Sequence, residues 1–347
     1  MKKPVLLIIL AALVSVGAAF LIMKRDRGPE LVFDKATAVF DRFSGQNAYD
    51  HVAKLVEIGP RIPGTEGHKK AQAYLVSQVE QLGWGVKTAN FETKTPDGKV
   101  EFFNIRARFS SDKKPTTWDR PVSGIICSHY DTKKFNFEFV GANDGGSSTG
   151  ALLEIARVLA TKPELASKIE LVWFDGEEAF GSSITDSDGL YGSRIYAAEM
   201  ALVAKESKSS LPKWGILLDM IGDSDLKVRV GVNVTAPSLP ERKEAANAGM
   251  SVDHHAITDR RRAMADDLIS AAEDTGNQRK FGVSPSYIID DHVPLNTVAG
   301  IPTIDIIDFD FDYWHTPGDT LDKISAESLE ITGKTTLLLV EKYLLGQ

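Results

Sequence analysis

Ile169-Glu170-Leu171-Val172-Trp173-Phe174-Asp175-Gly176-Glu177-Glu178-Ala179-Phe180 is the stretch on which the reading of this chain turns. Its first six residues are apolar except for Glu170, strand-length and rich in branched and aromatic side chains, as in a buried strand. The run stops at Asp175-Gly176 and gives way to two glutamates. Adjacent residues leaving a strand point in different directions, so one carboxylate can ligate while its neighbour faces a substrate as a proton carrier. A Glu-Glu pair is usually a solvated turn. Here an apolar strand precedes it and Ala179-Phe180 follows.

Working outward, four further segments end other apolar runs in the same way: Ser128-His129-Tyr130-Asp131, Ala142-Asn143-Asp144-Gly145-Gly146, Leu218-Asp219-Met220-Ile221-Gly222 and Trp314-His315-Thr316. In open α/β sheets, ligands bind beyond the carboxyl ends of the strands. Carboxylates and imidazoles delivered to such an edge suit a divalent cation, and zinc takes both ligand types. Asp144 could serve only as a helix cap, but a loop entering a helix also exposes its carboxylate. Of the seven histidines, His51, His68, His254 and His255 read as surface residues. Competing chemistries are missing: there is no His-Glu-x-x-His helix, no Gly-x-Ser-x-Gly elbow and no phosphate-cradling Gly-x-x-x-x-Gly-Lys. Gly145-Gly146-Ser147-Ser148 offers a serine but no local base.

The strands alternate with helices. Helical spacing covers about 34–58 with a break at Gly45, then Glu66 to Leu82, Gly146–Ala160, Gly192–Ala204 and Ser325–Leu345. Strand-like runs fall at Gly85–Lys94, Val100–Phe109, Val122–His129, Ile169–Phe174, Lys213–Met220 and Pro302–Asp308. The first two are joined through Pro96-Asp97-Gly98, a hairpin signal with a loop expected to exceed two residues. Continuous apolar strands between helices predict a single three-layer α/β/α sandwich around a mixed, mostly parallel twisted sheet. The segment from about 240 to 280 is the least legible, and Arg260-Arg261-Arg262 with Asp266-Asp267 reads as a solvated helix.

At 43% hydrophobic and 25% charged residues the chain is globular, and its net charge of −8 argues against a nucleic-acid partner. The single cysteine, Cys127, lies in an apolar run and is expected in the core. Lys2 and Lys3 precede an uncharged apolar stretch from Pro4 to Met23, followed by Lys24, Arg25 and Arg27. Residues 1–23 therefore read as a signal anchor or signal peptide, 24–33 as a linker and 34–347 as the catalytic domain. That places the catalytic domain outside the cytoplasm, in the cell envelope or secreted, touching membrane only through the N-terminal segment.

Together these segments resemble the co-catalytic zinc aminopeptidase superfamily, from about Ala36 to the C-terminus. Ile58-Gly59-Pro60-Arg61-Ile62-Pro63-Gly64-Thr65 and Tyr313-Trp314-His315-Thr316-Pro317-Gly318-Asp319 bound the similarity. Within it, His129-Tyr130-Asp131-Thr132-Lys133, Leu190-Tyr191-Gly192-Ser193-Arg194 and Asp290-Asp291-His292-Val293-Pro294 look like the animal-type glutaminyl cyclases. Aminopeptidases usually carry a small residue where Asp290 stands. The resemblance implies one Zn2+ held by Asp144, Glu178 and His315, with Glu177 as general base and Asp219 and Asp290 sharing protons with it. It also implies a pocket walled by Trp314, Phe311 and Tyr313, peptides or proteins with N-terminal glutamine as substrates, and a monomeric catalytic domain. The reaction would be pyroglutamate formation with release of ammonia. The alternative is a two-zinc aminopeptidase that adds His129 and Asp219 as ligands. Two departures bear on the pocket: the cyclases' tryptophan shortly after the Glu-Glu pair is absent from Gly181–Gly189, and Ile289 replaces a polar amide.

Overall fold

The computed structural model describes residues 32–110, 118, 120–206, 211–231, 252–284 and 286–346. The expected signal segment and most of the linker lie outside them. Among the described residues no helix is long and apolar enough to cross a membrane.

One eight-stranded sheet organises the chain. Its strands are β1 (Trp84–Thr95), β2 (Gly98–Phe109), β3 (Gly124–His129), β4 (Ile169–Phe174), β5 (Trp214–Asp219), β6 (Val228–Gly231), β7 (Phe281–Ser284) and β8 (Thr303–Ile307). Their spatial order is β1-β2-β4-β3-β5-β8-β6-β7. The four central strands β4-β3-β5-β8 are mutually parallel, so their carboxyl ends share one edge. The β1–β2 hairpin joins β4 antiparallel, and β6 meets β8 antiparallel. Thr95 pairs with Gly98, so the hairpin loop is two residues, Pro96-Asp97, shorter than the sequence reading expects; Gly98 takes φ 108° there.

Both faces of the central strands are buried, which explains their unbroken apolar character. Ile126, Leu171, Ile216 and Ile304 pack on one side against helices α1 (Gly45–Ile58), α2 (Glu66–Gln81) and α3 (Gly146–Ala160). The same layer holds α5 (His254–Asp274) and α6 (Ala326–Leu338). Ile125, Cys127, Val172 and Leu217 face the other way, against α4 (Tyr191–Glu206) and the helical turn through Leu295 and Val298. The three-layer sandwich and the buried Cys127 are as the sequence predicts. Helix α5 occupies the segment read as solvated, but Arg261 is wholly buried. Its Nε donates to Thr303 O at 2.8 Å and its Nη2 to Gly231 O at 2.7 Å, pinning the helix to the sheet.

Candidate metal centre and its cavity

The shared edge of the central strands collects the acidic segments. His129 closes β3, Asp219 closes β5, Glu177 and Glu178 follow β4 across the tight Gly176 turn, and Asp144 sits in the turn entering α3. The loop after β8 brings in His315. Met220 (φ 45°) and His315 (φ 57°) adopt left-handed conformations that side chains bearing a Cβ rarely take, and such strain concentrates at functional sites.

Two imidazole nitrogens each face a pair of carboxylates. His315 Nε2 lies 3.3 Å from Asp144 Oδ2 and 3.2 Å from Glu178 Oε1. His129 Nε2 lies 3.3 Å from Asp144 Oδ1 and 3.2 Å from Asp219 Oδ1. Asp144 thus divides its oxygens between two triads, Asp144–Glu178–His315 and His129–Asp144–Asp219, each with donor atoms within 4.8 Å of one another. Asp144 Oδ2 is buried and lacks a well-formed hydrogen bond. Carboxylates and neutral imidazoles converging on a common point are a donor set that fits zinc. Although burial opposes it, the hydrogen bonds that His315 gives to Asp144 and Glu178 raise it to about 9. Burial likewise opposes protonation of His129, yet bonds to Asp131, Asp144 and Asp219 push it well up. Burial would raise Asp144, but its bonds to both histidines hold it below the usual carboxylate range.

A second set of residues fixes these ligands. Asp131 accepts the backbone N–H of Glu177 at 3.1 Å and of Glu178 at 3.3 Å, orienting both glutamates. Asp319 accepts those of Asn143 (2.7 Å) and Asp144 (3.0 Å). Buried Arg61 donates to the carbonyls of Tyr130, Val140 and Gly141, clamping the loop that carries Asp144. Lys133 Nζ donates to Ala179 O at 2.8 Å and stands 3.4 Å from Glu178 Oε2. The roles of Arg61, Lys133 and Asp319 escaped the sequence reading, although each lies inside a quoted segment. An arginine within the rigid Gly59–Gly64 turn was the available signal. His68, read as a surface residue, is buried: its Nε2 meets Asp175 Oδ1 at 2.8 Å and its ring stacks on Tyr130.

Beside the ligands lies a group of buried acids, Glu177, Asp290 and Asp291. Burial first, then the charge of Asp290, raises Glu177 well above the carboxylate range. Burial and the charges of Asp305 and Asp219 do the same to Asp290. Asp291, fully buried, is raised to about 7, mainly by desolvation. Like charges this close do not all ionise, so the cluster retains protons at neutral pH.

These residues open into a cavity of about 570 Å³ lined by Glu177, Glu178, Asp144, Asp219, Asp290 and His315 on its inner wall. Trp314 lines it too, stacked on His315 at 4.1 Å between ring centroids. Phe311 and Tyr313, expected beside Trp314, do not line it: Phe311 is buried against Met220 and Ile307, and Tyr313 turns toward Lys323. Where the tryptophan is missing, Ser182, Ser183 and Ile184 form the wall, and Ile289 lies on the rim.

The chain matches the family described as Peptidase family M28 over residues 104–340. It is 28% identical over 313 residues to a protein named glutaminyl-peptide cyclotransferase from Dictyostelium discoideum, covering 82% of this chain and 81% of that one. The glutaminyl cyclase of an Acidobacteriales bacterium superposes with a TM-score of 0.69 at 29% identity, covering 93% of this chain and 99% of that one. A Zn-dependent exopeptidase from Parabacteroides distasonis does so at 0.67 and 27% identity, covering 86% and 98%. The match extends over well over half the residues and takes in the whole edge of carboxylates and imidazoles, so the chain belongs to peptidase family M28.

Proposed function

We propose that the protein is a glutaminyl-peptide cyclotransferase that closes an N-terminal glutamine to pyroglutamate and releases ammonia. The observation that carries this reading is Asp290, buried at the cavity wall where its charge raises Glu177. An acid there gives the general base a proton-sharing partner, which a reaction with two proton transfers at one nitrogen pair requires. The named relatives support the same reading.

Asp144, Glu178 and His315 would hold a single zinc. When bound, the ion supplies Lewis-acid polarisation of the side-chain amide carbonyl. Glu177 takes a proton from the α-amine as its nitrogen attacks the amide carbon, and gives that proton to the departing NH2. One C–N bond forms and one breaks within a single residue, so no external nucleophile enters. The protein's contribution is then orientation, holding the five-membered near-attack arrangement against Trp314 while Asp219 and Asp290 keep Glu177 poised. The catalytic domain would act on exported peptides, in keeping with the N-terminal segment.

A second reading rests on the division of Asp144's two oxygens between the two triads. With His129 and Asp219 as further ligands, the site would hold two zinc ions and hydrolyse N-terminal residues. A Gln-initiated and a Leu-initiated peptide separate the two. Ammonia from the first alone supports the cyclase, and free leucine from the second overturns it; zinc content of one or two per chain gives an independent check.

A further inference from the structure

The cavity extends well past the reacting centre, and its outer end carries Arg229 on β6. Arg229 and Lys133 are the only lysine or arginine side chains on the cavity wall among the described residues. Lys133 is committed to Ala179 O and Glu178. Arg229 is not. Among the described residues its guanidinium makes one hydrogen bond, from Nη1 to the adjacent carbonyl of Val228 at 2.8 Å. No ion pair joins it to any described acid, although Asp310 lines the same cavity. The side chain runs across Gly282 of β7, where an ideal Cβ would sit 3.5 Å from both Cδ and Nη1. Glycine leaves the guanidinium a flat shelf. Ser284, two residues on, adds a hydroxyl to the same wall.

The sheet register gives its distance from the chemistry. Asp219 pairs with Ile307 across β5–β8, and Ile307 pairs with Arg229 across β8–β6. Two strand spacings separate Asp219 from Arg229, about 10 Å. The Arg229 side chain runs outward over β7, so an extended peptide, advancing about 3.3 Å per residue, meets the guanidinium with the third or fourth residue after the N-terminal one. Every other charged group lining the cavity, apart from Lys133 and the histidine ligand, is acidic. An unpaired arginine in such a wall is a selector for negative charge at one position, against a background that repels it.

We infer that Arg229 forms a subsite for a carboxylate on the third or fourth residue after the substrate's N-terminal one, so that this enzyme favours short acidic Gln-initiated peptides. The inference builds on the cyclase reading. The carboxylate is either an acidic side chain or the free C-terminus of a tetra- or pentapeptide. The test is steady-state kinetics of the zinc-loaded enzyme on C-terminally amidated Gln-Ala-Ala-Glu-Ala, Gln-Ala-Ala-Gln-Ala and Gln-Ala-Ala-Lys-Ala, the matching set with these residues fifth, and Gln-Ala-Ala-Ala with a free or amidated C-terminus. The carboxylate-bearing peptide is expected to exceed its neutral partner about ten-fold in kcat/KM, mainly through KM, with the lysine peptide lowest. Arg229→Gln collapses that ratio toward one, and Arg229→Lys restores part of it. A gain with internal glutamate assigns the group to a side chain, and a gain only with free C-termini assigns it to the terminus; either supports the subsite. A wild-type ratio near one, or a ratio unchanged in Arg229→Gln, overturns it. If no peptide yields ammonia, the cyclase reading fails on its own, and the same ratios are read from release of free glutamine, where the same two results overturn the subsite.

Discussion

Glu177 and Glu178 are neighbours with different assignments, and substitutions at single residues separate them. Glu177→Gln keeps the three ligands Asp144, Glu178 and His315, so zinc content is expected to stay at the wild-type level. Ammonia release is expected to fall about 10²–10⁴-fold, the usual loss of a general base. Equal activity in Glu177→Gln ends the proton-carrier assignment. Asp290→Asn removes the second-largest of the effects that raise Glu177, after burial and ahead of the charges of Glu178 and Asp291. Glu177 then ionises at lower pH, and the acidic limb of the kcat/KM profile moves to lower pH; a limb that stays put separates Asp290 from Glu177. Asp291 gives a stability readout. Its folded value of about 7 lies above the ordinary carboxylate value of 3.8, so the folded state binds more protons between those limits. Its contribution is full below about 4 and is lost as pH rises through about 7. Asp291→Asn lacks that loss, so its Tm relative to wild type is expected to climb between pH 4 and 8, by the equivalent of a few kcal/mol. A difference independent of pH contradicts the assigned burial cost.

Elements carry the ligands, and Gly145 shows how tightly one of them is built. It sits at φ 71° at the start of α3, and an added Cβ would lie 2.8 Å from both His129 Cε1 and Asp131 O. Gly145→Ala therefore combines backbone strain with a push on a candidate ligand. A loss of about 1–3 kcal/mol in denaturant unfolding is expected, with weakened zinc binding; wild-type stability would show that the turn can relax. Legibility in the sequence follows the same divisions. Strand β4 and helix α3 were readable to the residue because long apolar runs and a Gly-Gly entry leave no other period. Strands β6 and β7 went unread: each has four residues, and Lys227, Arg229 and Gly282 interrupt any apolar signal. His68 and Arg261 read as surface residues because their helical neighbours are charged. What buries them is Asp175, 107 positions away, and the carbonyls of Thr303 and Gly231. Partners that distant leave no local trace. The resemblance puts Phe311 in the pocket, but the side chain packs inward against Met220 and Ile307.

At the scale of the whole molecule, a zinc held by Asp144, Glu178 and His315 would link loops far apart in sequence. Asp144, Glu178 and His315 span more than half of residues 34–347, so removing a zinc from them would leave buried carboxylates facing protonated imidazoles and Lys133. Zinc bound to the folded state alone adds about 2.7 kcal/mol at a free concentration one hundred times its Kd. Chelation is expected to lower Tm accordingly, and the size of the drop is expected to depend on pH. In the metal-free protein His315 is raised to about 9 from 6.5. Its stabilising contribution is therefore full below about 6.5 and disappears as pH rises through about 9. The metal-loaded protein would have no such window, because Asp144, Glu178 and a neutral His315 would hold the ion and His315 would carry no extra proton. Toward low pH, protons compete with zinc for the imidazoles and affinity falls. The Tm gap between loaded and chelated protein is thus expected to widen steadily from pH 6.5 to 9. Melting curves at half-unit intervals, with and without chelator, measure it directly. A gap constant across that range would mean that His315 does not hold the cation's place, and the ligand assignment would have to move to the His129 triad.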